Sequence, residues 1–249
     1  MKSMSKIEIT PKLVRYTLKF ICRIIVSGSV FILYVIDRQW ITEFLKKPFG
    51  YGITPLHILW AIFMCIMIFH LLPDKSQLRT MAWLKMKEEN YEPVESYDEL
   101  KLLKYVQDQN KKAWTVMLIW LSFNAVWGML YLWGIIREAE LLLISAFYFL
   151  SDYICILFYC PFQSNIMKNK CCVNCRIYDW GHFMMFTPML FIQNFFCWSL
   201  FFTSVVVLIR WEIAYIKHPE RFWEGANKTL KCENCRDKTC QYKKQYQRR

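Results

Sequence analysis

AWTVMLIWLSFNAVWGMLYLWGII, residues Ala113 to Ile136, runs for twenty-four positions without a charged side chain. As a helix rising about 1.5 Å per residue, it is longer than the ~30 Å hydrocarbon core of a bilayer is thick. Four further apolar blocks flank it: Phe20 to Ile36, Ile53 to Leu72, Leu141 to Phe162 and Phe183 to Trp211. The second carries Pro55 in its first turn, where a missing N–H costs nothing, and Pro73 just past its end, where a helix stops. The fold expected is therefore all-α: a polytopic membrane helix bundle of about five apolar helices, with a small Cys-rich metal knuckle.

The whole composition agrees. Of 249 residues 55% are hydrophobic, which excludes a disordered chain. Lys and Arg number 32 against 20 Asp and Glu, a net charge of +12. The basic residues are divided among short loops, the pattern of membrane orientation rather than nucleic-acid binding. No small-x-small cleavage site follows Val35-Ile36-Asp37, so the first block is expected to remain as an anchor.

The chain divides accordingly. Residues 1–19 are a basic N-terminal segment, and 20–73 hold the first two membrane helices. Residues 74–112 form a loop whose second half opens with Ser96-Tyr97-Asp98-Glu99, a helix-start pattern, and no Gly or Pro follows before Gly128. One helix is expected to rise from this loop into the third span. Residues 113–162 hold the third and fourth helices, and 163–182 a Cys-rich loop. Residues 183–211 are the fifth helix, and 212–249 a basic, Cys-rich tail.

Orientation poses a conflict. If all five blocks cross, the Lys and Arg residues divide 17 to 15, which is no preference. If the fifth block enters and returns on one side, they divide 28 to 4. The positive side faces the cytoplasm, so the expectation is an integral protein of the cell membrane with a cytoplasmic N-terminus. A break near Pro188 or Gln193-Asn194 would let the fifth block turn back. Irregular backbone at that depth is tolerated where protein covers it.

Two groups of residues carry chemistry. Six of the eleven cysteines lie in polar segments: Cys171, Cys172 and Cys175 after the fourth block, and Cys232, Cys235 and Cys240 in the tail. Each segment contains C-x-x-C, whose two thiolates face one ion, and two such knuckles complete a tetrahedral site. In a reducing compartment the spacing favours metal, and outside it disulfides. Zinc and an iron–sulfur cluster both take four thiolates, and spacing does not separate them. Cys172, Cys175, Cys232 and Cys235 are the expected ligands, with Cys171 and Cys240 as substitutes. Cys22, Cys65, Cys155, Cys160 and Cys197 lie in or beside apolar blocks and read as packing residues.

The second group lies at membrane depth: Asn124, Asp152, Gln193 and Asn194. An ionisable side chain such as Asp152 is costly there and marks either a polar contact between helices or a functional path. Haem is disfavoured, because His57 and His70 lie about 140° apart around one helix at 3.6 residues per turn. Three functions remain open. One is a Cys-ligated metalloprotein, with iron–sulfur electron transfer to a membrane acceptor as its redox form. Another is a transporter or channel with a polar midplane path and structural zinc. The third is a membrane-anchored scaffold that binds a protein partner through the 74–112 loop and the tail. The lipid bilayer is a partner in each, nucleic acid in none, and the sequence does not decide whether the chain is an enzyme.

Overall fold

The computed structural model describes residues 10–38, 43–45, 47–48, 52–72, 81–235, 237, 239–240 and 243. Lys2, Lys6, Pro73, Arg236 and Lys238 lie outside them. The regular structure of the described residues is all helical, with no strand among them. Four helices are long and apolar enough to cross a membrane: α1 (Pro11–Ile36), α3 (Glu99–Leu132), α4 (Glu138–Leu157) and α6 (Phe195–Lys217). Between the first two lies α2 (Pro55–Leu71), a shorter apolar helix of 17 residues. The last, α6, is preceded by the six-residue α5 (Gly181–Phe186).

Local chemistry sets the helix starts. The Thr10 side chain accepts from the Leu13 N–H at the head of α1, with Pro11 in the first turn. Asp98 caps α3 by accepting from the N–H groups of Leu100 and Lys101. The third block is thus the end of one 34-residue helix rising from the loop, as the sequence indicated, although Asp98 rather than Ser96 is the cap.

The fifth apolar block is not one helix. It comprises α5, a tighter turn over Thr187–Phe191, an extended Ile192, and α6. Pro188 has no N–H with which to continue α5, and Asn194 starts a new helix by accepting from the Cys197 N–H at 2.8 Å. The Trp198 indole N–H donates to the Leu190 carbonyl, satisfying an acceptor that the break frees.

The contacts show where these pieces go. Gly181 abuts Asp152 near the end of α4, and a Cβ there would stand 3.0 Å from Asp152 Oδ1. Ile192 packs with Leu141 near the start of α4. Asp152 and Leu141 are eleven residues apart, so residues 181–192 climb about 16 Å along α4 at ~1.5 Å per residue. Then α6 descends beside α2: Trp60 bonds Ser199, and Arg210 donates to the His70 carbonyl. The block turns back and makes no net crossing of the bundle.

Consequently one end gathers the start of α1, the end of α2, the lower half of α3, the end of α4, the Cys-rich loop and the tail. At that end Tyr16 meets Tyr178 at 3.2 Å, and Tyr105 stacks on Trp223. Trp83, Trp180, Trp211, Tyr215 and Phe222 share one buried cluster there. Outward from the helices point large apolar side chains, among them Leu18, Ile25, Leu118, Phe147 and Ile209.

Candidate functional site

The Cys-rich loop is tied to α6 and to the tail by charge. The Arg176 guanidinium is buried and forms a bidentate pair with Glu212, its NH1 at 2.9 Å and its NH2 at 2.5 Å from the two carboxylate oxygens. Its plane lies over the Tyr215 ring at 4.0 Å. The Trp180 indole also donates to Glu212, at 2.8 Å, while Trp211 donates to the Arg176 carbonyl. Further out, Lys170 pairs with Glu224 at 2.7 Å and Asn174 donates to the other oxygen of the same carboxylate. Lys12 at the head of α1 pairs with the buried Asp237 of the tail at 2.8 Å.

These ties bring the two cysteine segments together. Cys171 and Cys235 pack against the buried Val173 and Leu230, and both Cys232 and Cys235 act electrostatically on Cys171. The next residue faces the other way: the Cys172 thiol lies 3.5 Å from Gln163 Oε1 and 4.0 Å from the Ile156 carbonyl, under the end of α4. Cys175 is buried beside it. The trio thus splits, with Cys171 toward the tail and Cys172 and Cys175 inward. The expected grouping of Cys172 and Cys175 with Cys232 and Cys235 is not how the thiols are arranged. Cys240 is half-buried in the described part of the tail. No three His, Cys, Asp or Glu side chains stand at metal-ligand spacing among the described residues, so ligation requires the thiols to close further.

Two buried ammonium groups face the inward thiols. Lys85 is 1% exposed and donates to the carbonyls of Val173 (2.9 Å) and Cys175 (2.6 Å), with the Trp211 and Phe222 rings on its other side. Lys243 is 4% exposed, donates to the Cys155 carbonyl at 2.8 Å and to Gln163 Oε1, and lies 3.7 Å from the Cys172 sulfur. Neither has a carboxylate partner among the described residues. Burial pushes the Lys85 ammonium down to about 8, with the charge of Cys175 as the largest opposing influence. At neutral pH it therefore stays charged. Burial also pushes the Cys172 thiol up to about 12, with Lys243 pulling it back, and raises Cys171 and Cys175. In these surroundings a thiolate needs more positive charge than one lysine supplies.

The polar residues expected at midplane do not converge. Asn124 is buried between helices, donating to the Trp120 carbonyl and accepting from the Tyr148 hydroxyl at 3.4 Å. Asp152 pairs with Arg23 of α1 at 2.8 Å, and that guanidinium sits over the Phe149 and Tyr153 rings. Gln193 is exposed and Asn194 is the cap of α6. A different polar group forms instead. The rings of His70 and His182 meet at 4.9 Å, and His70 Nδ1 lies 3.7 Å from Asp179 Oδ1. His57 is at the opposite end of α2, bonded to Thr54. His70 closes α2 and His182 opens α5 at the same end of the bundle, a pairing that sequence spacing does not reveal.

Asn227, in the sequon Asn227-Lys228-Thr229, is fully buried, accepts from the Thr229 N–H and hydroxyl, and donates to the Arg221 carbonyl. It is a structural residue. The chain matches no known family, no curated protein and no solved structure.

Proposed function

We propose that this chain is an integral membrane protein whose Cys-rich end, on the cytoplasmic side, holds a thiolate-ligated metal centre. Four helices of membrane length and their outward apolar side chains support insertion. The division of basic residues, 28 to 4 with a returning fifth block, supports a cytoplasmic position for that end.

The observation that carries the metal reading is the pair of buried ammonium groups. A buried cation without an anion costs several kcal/mol, and proteins neutralise or pair such charges. Among the described residues, Lys85 and Lys243 donate only to neutral oxygen acceptors, with thiols close by. Thiolates would supply the missing negative charge, and a metal would keep those thiolates deprotonated despite their burial. A zinc ion or a four-iron cluster bound by four thiolates leaves net negative charge for two ammonium groups to offset. Cys172 and Cys175, nearest to the lysines, are the primary ligands. With an iron–sulfur cluster the function is electron transfer to a membrane acceptor; with zinc the centre is structural.

The test is metal analysis and absorbance of the full chain purified in mild detergent without chelators. Stoichiometric zinc with no visible colour, or iron and sulfide with a broad visible band, supports the reading and separates its two forms. A metal-free protein whose buried thiols all react after denaturation overturns it.

A further inference from the structure

We propose that Cys155 and Cys160 complete the centre, forming with Cys172 and Cys175 one four-thiolate site for zinc or an iron–sulfur cluster, distinct from the Cys171, Cys232 and Cys235 group. This rests on the metal reading above and names the ligands that the C-x-x-C spacing does not reveal.

Cys155 lies in the last turn of α4 and Cys160 just beyond that helix, and the two thiols act electrostatically on one another. The Gln163 backbone N–H donates to the Cys160 sulfur at 3.4 Å, a bond that favours a thiolate. The same Gln163 meets Cys172 through its side-chain oxygen at 3.5 Å. Its amide nitrogen donates to the Asn169 carbonyl at 3.1 Å, which fixes that oxygen toward Cys172 and Lys243. Cys160 lies within electrostatic reach of both Cys172 and Cys175. Four thiols from the end of α4 and the Cys-rich loop, Cys175 buried and the other three half-buried, thus lie around Gln163 and Lys243 and need to close further to share an ion, while Cys171 faces Cys235 outside them.

Charge gives the second, independent support. Lys243 touches this group from the Cys155 and Cys172 side and Lys85 from the Cys175 side. A tetrathiolate zinc site carries a charge of about −2, the sum of four thiolates and one divalent ion. Two ammonium groups balance it. A cluster of cysteines serving only as small apolar filler would have no use for either lysine. On binding, each thiol gives its proton to solvent and its sulfur to the metal.

The experiment compares the whole protein with single variants Cys155→Ser, Cys160→Ser and Cys172→Ser, and with the double variant Cys232→Ser, Cys235→Ser. Metal per chain is read by elemental analysis, and cobalt exchange reports the number of sulfur ligands through its thiolate charge-transfer absorbance. The inference expects each inner variant to lose the native metal, and the tail double variant to keep it. Cobalt added to monodisperse Cys155→Ser should show charge-transfer absorbance reduced by about a quarter, one thiolate in four. This second readout survives even where a variant loses metal through weakened folding. Native metal retained in full by Cys155→Ser and Cys160→Ser, or lost only from the tail variant, overturns the inference and leaves the metal reading intact. A metal-free wild-type protein overturns both.

Discussion

Replacing Glu212 by Gln should loosen the Cys-rich loop from α6. The Arg176 side chain is 6% exposed and Glu212 is its only carboxylate partner among the described residues. The amide can accept at one position but cannot neutralise the guanidinium. Removing one member of a buried ion pair costs about 3–5 kcal/mol, because the other charge stays buried alone. Glu212 is a quarter exposed, so solvent screening brings the expectation to about 2–3 kcal/mol. For a chain of this size that lowers the melting temperature by roughly 4–12 °C. The assay is thermal unfolding in detergent together with maleimide labelling of native protein. Cys175, 5% exposed in the folded chain, should label several-fold faster in the variant. The double variant Arg176→Met, Glu212→Leu should recover most of the loss, since it leaves no unpaired charge. An unchanged melting temperature with Cys175 still protected would refute the idea that this pair holds the loop in place.

Other outcomes follow from the same contacts. Gly128 of α3 lies under the Phe191 ring, so Gly128→Leu should displace the turn that precedes α6 and destabilise the protein by about 1–3 kcal/mol, read by thermal unfolding. Asp152→Leu should destabilise by stranding Arg23, whereas Arg23→Leu combined with Asp152→Leu should be tolerated; equal losses in the two would remove the ion-pair explanation. Burial holds Lys85 at about 8 in the folded state against 10.5 when unfolded. Between those values the unfolded chain binds more protons at this site, so the Lys85 contribution to the stability of the metal-stripped protein should rise with pH, while the raised Cys171, Cys172 and Cys175 thiols act in the opposite sense above their ordinary value of 9.0. The stability difference between wild type and Lys85→Met should therefore shift in favour of wild type from pH 7.5 to pH 10, which melting curves of both would show. The same variant should also retain less metal.

The apolar helices were legible in the sequence because long runs such as Ile53 to Leu72 and Ala113 to Ile136 carry no charged side chain. The continuous helix into the third span could be read because no Gly or Pro interrupts it. The fifth block had two readings. Length favoured a single crossing and charge favoured a return, and the structure takes the return, using Pro188 and Asn194 as the break. Polar residues at similar distances along their helices looked like a belt, but depth does not determine which way a side chain faces. Asn124, Asp152 and Asn194 each found a local partner. The cysteines show the same limit. Adjacent residues such as Cys171 and Cys172 face opposite ways, and Cys155 resembled filler because its neighbours in the chain are apolar while its neighbours in space are Cys160 and Lys243.

The ties that bring Glu212 and Lys243 to the Cys-rich loop depend on the fifth block turning back. The direct measurement is protease accessibility in sealed membrane vesicles of known orientation, with epitope tags at both termini and in the loop between α1 and α2. The account predicts that both terminal tags are cleaved from one side of the membrane and the loop tag from the other. Terminal tags cleaved from opposite sides would show an odd number of crossings, placing Cys172 and the tail across the membrane from one another and contradicting the account.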